Sequence, residues 1–402
     1  MVLYEHSVRQ MVAISFHRTA VEHPHTAGLV VRHLEEIDSM ALDFRYDALP
    51  MRVRFGVGAL ASLTDELDEL GLKRVLVLCS PGQEDTGERV ASALGDRCVG
   101  VRADAVMHVP GPVAERAQAD AVSLGADGCV TVGGGSAIGL GKAIALKHGL
   151  PIIAVPTTYA GSEMTPVWGM TTDGRKETGR DPKVLPRSVV YDPELTLSLP
   201  AGISVTSGIN AMAHAVEALY APDATPIISL MAEDGVRALA AALPLIVADD
   251  ADIDARSQAL YGAWLCGAAL GATTMSLHHK LCHALGGTLN LPHSDTHTVV
   301  LPYALAYNEP YAHDAAAAVS RALDVSGNPA DRLRHLSEEL GAPQSLAELG
   351  MKEADIERIA NEVTSRSYGN PRPITHDSVR DLLSAAWAGR WPITDSSSPA
   401  DT

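Results

Sequence analysis

Short apolar runs alternate with amphipathic stretches through the first half of the chain. Arg74-Val-Leu-Val-Leu-Cys79, Val99–Val101, Gly128-Cys-Val-Thr-Val132, Pro151-Ile-Ile-Ala-Val155 and Ser188-Val-Val-Tyr191 read as short buried strands. Glu84–Leu94, Val113–Leu124 and a stretch ending near Lys147 read as helices between them. Strand, helix, strand repetition predicts a parallel sheet with helices on both faces. Thr165–Asp181, which holds Gly169, Gly174 and Gly179, predicts a β-hairpin. After Leu199-Pro200-Ala201-Gly202 long alanine-rich stretches take over: Ser204–Tyr220, Ile227–Val247, Ile253–Ala272, Leu277–Thr288, and further segments to about Ala388. Strands are few there, which predicts a helical domain. The expected organisation is an α/β domain over residues 42–199 and an all-α domain over residues 200–392. Residues 1–41, rich in His, Arg and Glu, read as an extension, with Met40 as an alternative start, and residues 393–402 as a frayed polar tail.

Composition narrows the classes of function. Hydrophobic residues make up 46% of the 402 and charged residues 20%, a globular balance. The formal net charge of −18 argues against nucleic acid or anionic lipid as a partner. An anionic substrate would therefore need locally placed positive charge. No apolar run approaches the roughly 20 residues of a membrane helix. The five scattered cysteines, without a Cys-x-x-Cys, fit a reducing compartment, and residues 1–20 do not form a signal peptide. A cytoplasmic protein is expected.

Three groups of residues carry candidate chemistry. Gly133-Gly134-Gly135-Ser136 lies between a strand and a helix, where close backbone approach, free N–H groups and the helix dipole favour a phosphate. It is not the Gly-x-Gly-x-x-Gly fingerprint of a common dinucleotide fold. Thr157-Thr158-Tyr159-Ala160-Gly161-Ser162 follows the next strand, at the carboxyl edge of the sheet where ligands bind. Arg175, Lys176, Arg180, Lys183 and Arg187 gather on the hairpin; most read as a solvated face, with one or two available to hold an anion. The third group is histidine-rich. Asn210 and His214 share one helix face, as do His279 and His283, and His293 follows closely. That pattern is metal-like, but a neutral Asn210 stands where an anionic ligand would sit. His278 reads as an ordinary core residue.

Together these motifs resemble the iron-containing alcohol dehydrogenase superfamily over roughly residues 43–395. The resemblance implies an α/β nucleotide-binding domain, an all-helical C-terminal domain and an active site in the cleft between them. Gly133, Gly134, Gly135, Ser136, Thr157, Thr158 and Ser162 match the segments that hold NAD. Asn210, His214, His279 and His293 match the metal ligands, where the family has Asp, His, His and His. His283 matches a histidine near the nicotinamide that takes part in proton transfer or orientation. A homodimer is also implied. The chain departs from the pattern at Asn210 and at Gly139, where the family has an acid. Both departures resemble the maleylacetate reductase branch, which works without metal, reducing maleylacetate to 3-oxoadipate with NADH or NADPH in aromatic catabolism.

Physical argument points the same way. At an effective dielectric near 20, a like-charge contact at 4 Å costs roughly 4 kcal/mol, so replacing an aspartate by Asn210 favours a dicarboxylate. It also leaves a divalent ion's charge uncompensated by three neutral imidazoles. Hydride addition β to a ketone puts negative charge on oxygen, where hydrogen-bond donors stabilise it. The expected substrate pocket is Asn210, His214, His279, His293 and Lys280, with His279 and Lys280 assisting catalysis and His283 or Tyr159 supplying the proton. At Cys79-Ser80-Pro81 no acid stands to reject a 2′-phosphate, so NADH and NADPH are both expected, with Ser80 at the cofactor. The alternatives are a metal-dependent alcohol dehydrogenase, a lyase related to dehydroquinate synthase, and a catalytically dead binding protein.

Overall fold

The computed structural model describes residues 44–46, 48–49, 51–172 and 175–391. The chain divides at residue 46, and the account below concerns the compact unit that begins at residue 47. The expected extension (1–41) and tail (393–402) lie outside the described residues.

Six parallel strands form the sheet, in the order β1 (Arg52–Phe55), β8 (Ser188–Tyr191), β5 (Ile152–Pro156), β4 (Gly128–Gly133), β2 (Val75–Cys79) and β3 (Cys98–Arg102). The four inner strands are buried along their whole length, which is why they read as continuous apolar runs. Successive residues of β2 serve opposite faces. Val75, Val77 and Cys79 pack toward α1 (Leu63–Leu70) and α2 (Glu84–Leu94). Leu76 and Leu78 pack toward α3 (Gly111–Ser123) and α4 (Gly135–His148). The run at 74–79 is the second strand of the chain and not its first. The edge strand β1 escaped periodicity because it is short and half charged; Arg52 and Arg54 reach from it to the buried carboxylate of Glu66.

The hairpin is present as β6 (Val167–Thr172) and β7 (Arg175–Arg180). Gly179 is required there, since a Cβ would lie 2.7 Å from the Trp168 ring. Arg180, read as part of a solvated face, instead donates to the carbonyls of Gly271 and Thr273 in the helical half. The side chains of Arg175 and Lys176 lie outside the described residues.

The helical half opens with α5 (Ala201–Leu219), α6 (Pro226–Ala248) and α7 (Ile253–Ala272), continues with α8 (Leu277–Leu289) and α9 (His293–Asn308), and closes with α10 (His313–Ala322), α11 (Pro329–Glu339), α12 (Ile356–Thr364) and α13 (His376–Ala388). Helix α5 is buried on every side from Ser204 to Ala218, with α6, α7 and α9 packed around it. An all-round apolar helix belongs in a core, so the polar groups on α5 are enclosed as well. No described helix is long and apolar enough to cross a membrane.

Candidate active site

Strand β4 turns into α4 through the glycine loop. Gly133 has a φ of 141°, a conformation that side-chain-bearing residues rarely adopt. Gly134, Gly135 and Ser136 border a cavity of about 460 Å³ between sheet and helices. The first-turn N–H groups of α4 have no partners within the helix, and an anion fits there. Thr158 packs directly on Gly134, where a Cβ would come within 2.8 Å of its hydroxyl oxygen. Thr158, Ser162 and Ser80 border the cavity; Gly133 and Thr157 do not. Those two set the turn, with the Thr157 N–H donating to the Gly133 carbonyl at 3.3 Å. The residues thus suit a dinucleotide pyrophosphate.

Gly139 has a packing reason. A Cβ there would lie 2.8 Å from a methyl of Val109. Met107, His108 and Val109 form one wall of the cavity. His108 and Val109 both have positive φ (65° and 44°), which is costly without glycine, and the Val109 carbonyl is tied to the Thr171 N–H at 3.2 Å. An acid at 139 would displace this wall.

On the helical side, α5 presents Asn210 and His214, α8 presents His279 and His283, and His293 and Ser294 come from the N-terminus of α9. A second helix N-terminus therefore abuts the cavity. His214 Nδ1 lies 3.0 Å from His279 Nε2, and His214 Nε2 lies 3.1 Å from the Ala160 carbonyl oxygen. A carbonyl only accepts, so His214 carries its proton on Nε2 and accepts at Nδ1. His279 must then donate from Nε2. Its Nδ1 faces the buried carboxylate of Glu217, whose other oxygen accepts the His278 N–H at 2.9 Å. His279 is thus held between the Glu217 carboxylate and His214. The chain Glu217–His279–His214–Ala160 runs across the buried floor. Burial, then the neighbouring His279, holds the His214 pKa well below the usual histidine value, so His214 is neutral.

His297, four residues after His293, was not singled out from sequence. It sits with His214 and His279, one ring nitrogen of each lying within 4.8 Å of the others. Its Nδ1 pairs with His278 Nε2 at 2.9 Å. Burial pushes both His278 and His297 well down. His293 stacks edge-on to His297 at 4.4 Å, is half-buried, and borders the cavity.

The resemblance implies a metal at this position, and the donors can be tested against one. They are three imidazoles and the amide of Asn210, with no carboxylate among them. The His214 lone pair that a metal would need accepts the Nε2–H of His279, which occupies the corresponding position on that ring. The one carboxylate nearby, Glu217, stands behind His279. As arranged, the set does not suit a divalent ion.

Two expectations need correction. Tyr159 does not border the cavity. It is fully buried, and its hydroxyl accepts from Arg256 at 3.3 Å, so it cannot supply a proton to a ligand there. Lys280, about 100° around α8 from His279, does not border the cavity with Asn210, His214 and His293; it borders a neighbouring cleft that His283 shares. Sequence reasoning also passed over Glu217 and Lys142. Glu217 follows His214 at helical spacing, a signal that was present. The ammonium of Lys142 is wholly buried on α4 and donates to the carbonyls of Ser162 and Val167, both at 2.7 Å, and to the Thr165 hydroxyl at 3.0 Å. Its residue type gave no warning, since lysine is seldom fully buried.

Known proteins match this description. Residues 50–193 match the model of the iron-containing alcohol dehydrogenase family and residues 204–387 that family's C-terminal model. A maleylacetate reductase from Burkholderia cepacia is 56% identical over 349 residues, 87% of this chain and 99% of the relative. One from Sphingobium indicum is 54% identical over 353 residues, 88% and 100%. The crystal structure of a maleylacetate reductase from Agrobacterium tumefaciens superposes with a TM-score of 0.84 at 49% identity, covering 87% of this chain and 99% of that one. The chain belongs to the iron-containing alcohol dehydrogenase family, in the branch formed by the maleylacetate reductases.

Proposed function

We propose that the chain reduces the C=C bond of maleylacetate to 3-oxoadipate with a nicotinamide dinucleotide, in aromatic catabolism and without a metal ion. One observation carries the reading. In a chain of net charge −18, the described residues that border the cavity include no Asp or Glu, and also no Lys or Arg. Histidines, hydroxyls and two helix N-termini wall it instead, which favours anions.

A reduced nicotinamide supplies the hydride. It reaches the carbon β to the ketone, and the electron pair of the C=C bond moves onto the ketone oxygen. The amide of Asn210 is the buried donor available to that oxygen and to the near carboxylate, since the Nε2–H of His279 is taken by His214. A proton then adds to the carbon α to the ketone. His283 borders the cavity, half-buried, with its ring 6.0 Å from that of His279, and is the candidate donor. No acid stands at Ser80 where β2 ends, so NADH and NADPH both serve. A homodimer in the cytoplasm belongs to the same proposal.

The test is absorbance at the nicotinamide band with freshly generated maleylacetate, using NADH or NADPH, with and without a strong chelator. Oxidation of both cofactors, unchanged by the chelator, is expected. The grouping of His214, His279 and His297 favours a second reading, a metal-dependent alcohol dehydrogenase, and loss of activity on chelation would select it. His283→Ala should lower kcat at least ~10²-fold while NADH binding, followed by fluorescence, persists. Unchanged kcat would remove His283 from the mechanism.

A further inference from the structure

Beyond His283 the cavity meets a second cleft of about 630 Å³. His283 and Thr178 border both, so the two spaces adjoin at the candidate proton donor. One wall of the cleft is α8, carrying Lys280 three residues before His283. The opposite wall is the end of α12 and the segment after it, with Arg366 and Tyr368. The Lys280 ammonium lies 5.7 Å from the centroid of the Tyr368 ring, a cation–π contact that holds it at the cleft. Among the described residues neither Lys280 nor Arg366 is ion-paired, whereas Arg52, Arg102 and Arg321 are each held by a carboxylate. Glu362 also borders the cleft, and one of its oxygens accepts from the Thr288 hydroxyl at 2.6 Å.

We propose that this cleft seats the far carboxylate of the substrate, with Arg366 and Lys280 as the groups that recognise it. The inference rests on the reading of maleylacetate as substrate. That molecule carries a carboxylate at each end of a six-carbon chain. The histidine cavity offers dipoles and neutral donors but no formal charge, which suffices for one end beside the enolate oxygen. The other end of a dianion needs a full cation, and the cations bordering the adjoining space are Lys280 and Arg366. The planar fork of Arg366 suits a carboxylate in two-point contact, while Lys280 acts as a point charge. A substrate laid across the junction passes His283, which places its reacting carbons beside that ring. The cleft would thus separate dicarboxylates from simple ketones and aldehydes, which lack the group that occupies it.

The test compares the full-length enzyme with Arg366→Gln and Lys280→Met, on two substrates. One is maleylacetate. The other is 3-oxohex-4-enoate, which keeps the conjugated ketone and the carboxylate beside it but carries a methyl group in place of the carboxylate on the alkene. Both substituted side chains are exposed, and melting curves check that the variants fold. For Arg366→Gln the KM for maleylacetate should rise roughly 10- to 100-fold, with kcat changed far less and the KM for NADH unchanged. Lys280→Met should act in the same direction. For 3-oxohex-4-enoate, read as a substrate or as a competitive inhibitor, wild type and variants should agree within about twofold. Equal losses for both compounds, or no rise in KM for maleylacetate in either variant, would overturn the assignment. A wild-type enzyme inert toward maleylacetate would instead fail the functional reading, and this inference with it.

Discussion

Asn210 is buried on α5, and its side-chain oxygen has no hydrogen-bond partner among the described residues. A buried acceptor left so costs about 1–3 kcal/mol, which a ligand donor at this point would relieve. Sequence spacing located Asn210, His214 and His279 correctly because helical periodicity alone decides which residues share a face. His293, the third histidine of that reading, borders the cavity with them from the first residue of α9, and the reading passed over His297 one turn later, which sits with His214 and His279. It also mistook Tyr159, whose loop looked polar and open in sequence but is locked from outside by Arg256 of α7. Asn210→Asp tests the charge argument. The new carboxylate should lower kcat/KM for maleylacetate by at least ~10-fold, given roughly 4 kcal/mol of unscreened repulsion at contact distance. The variant should also retain divalent metal through desalting, read by elemental analysis. An unchanged kcat/KM would show that the carboxylate end does not approach Asn210.

Helix α4 does two jobs for the site. Its N-terminus meets the cavity, and Lys142 on its third turn braces the 162–167 segment that forms another wall. Three acceptors call for three protons, so the bracing form is the ammonium. Burial nevertheless pushes Lys142 down to about 7, with Glu163 opposing the shift. In the unfolded chain the same group keeps its proton to about 10.5. Between those values the unfolded state binds more protons, so stability rises with pH, and the gain is lost as pH falls to 7. Removing the amine in Lys142→Met should remove that rise. Urea midpoints at pH 7 and pH 9 should diverge between wild type and variant, by up to about 1.4 kcal/mol per pH unit. Parallel behaviour would mean the lysine is not buried as described. The KM for NADH should also increase several-fold in Lys142→Met, as Ser162 and Thr165 lose their support. The strands and helices of both halves were legible because apolar period tracks burial. Strand β1 and helix α1 were not, since Arg52 and Arg54 paired with Glu66 replace the apolar signal at that edge of the sheet, and the turn between them is held by backbone N–H groups of Gly58 and Leu60 donating to Asp192.

At the scale of the whole molecule, the buried histidines tie stability to acidity. His214, His278 and His297 all have pKa values held well below 6.5, so they stay neutral in the fold and protonate near 6.5 when it opens. Their contribution is complete above 6.5 and falls away below it, by up to about 1.4 kcal/mol per pH unit for each. Folded proteins hold only about 5–15 kcal/mol in reserve. Urea midpoints should therefore drop steeply from pH 6.5 to pH 5, and His297→Gln should make the slope shallower. A flat profile would mean these side chains reach water. The two-domain plan was readable from the change of period near Leu199, but the position of the second cleft was not, because it joins β7, α8 and α12, which lie far apart in sequence. The wall formed by His108 and Val109 has a consequence for ancestry and for engineering. Gly139 fits beneath Val109 only because it lacks a side chain, so restoring an acid there requires the 107–109 segment to move first. Restoring the carboxylate at 210 is a separate event on another helix. A carboxylate at 210 can therefore be introduced by itself, whereas one at 139 needs a compensating change in the 107–109 segment, and selection of one mutation at a time should recover acids at 210 and not at 139.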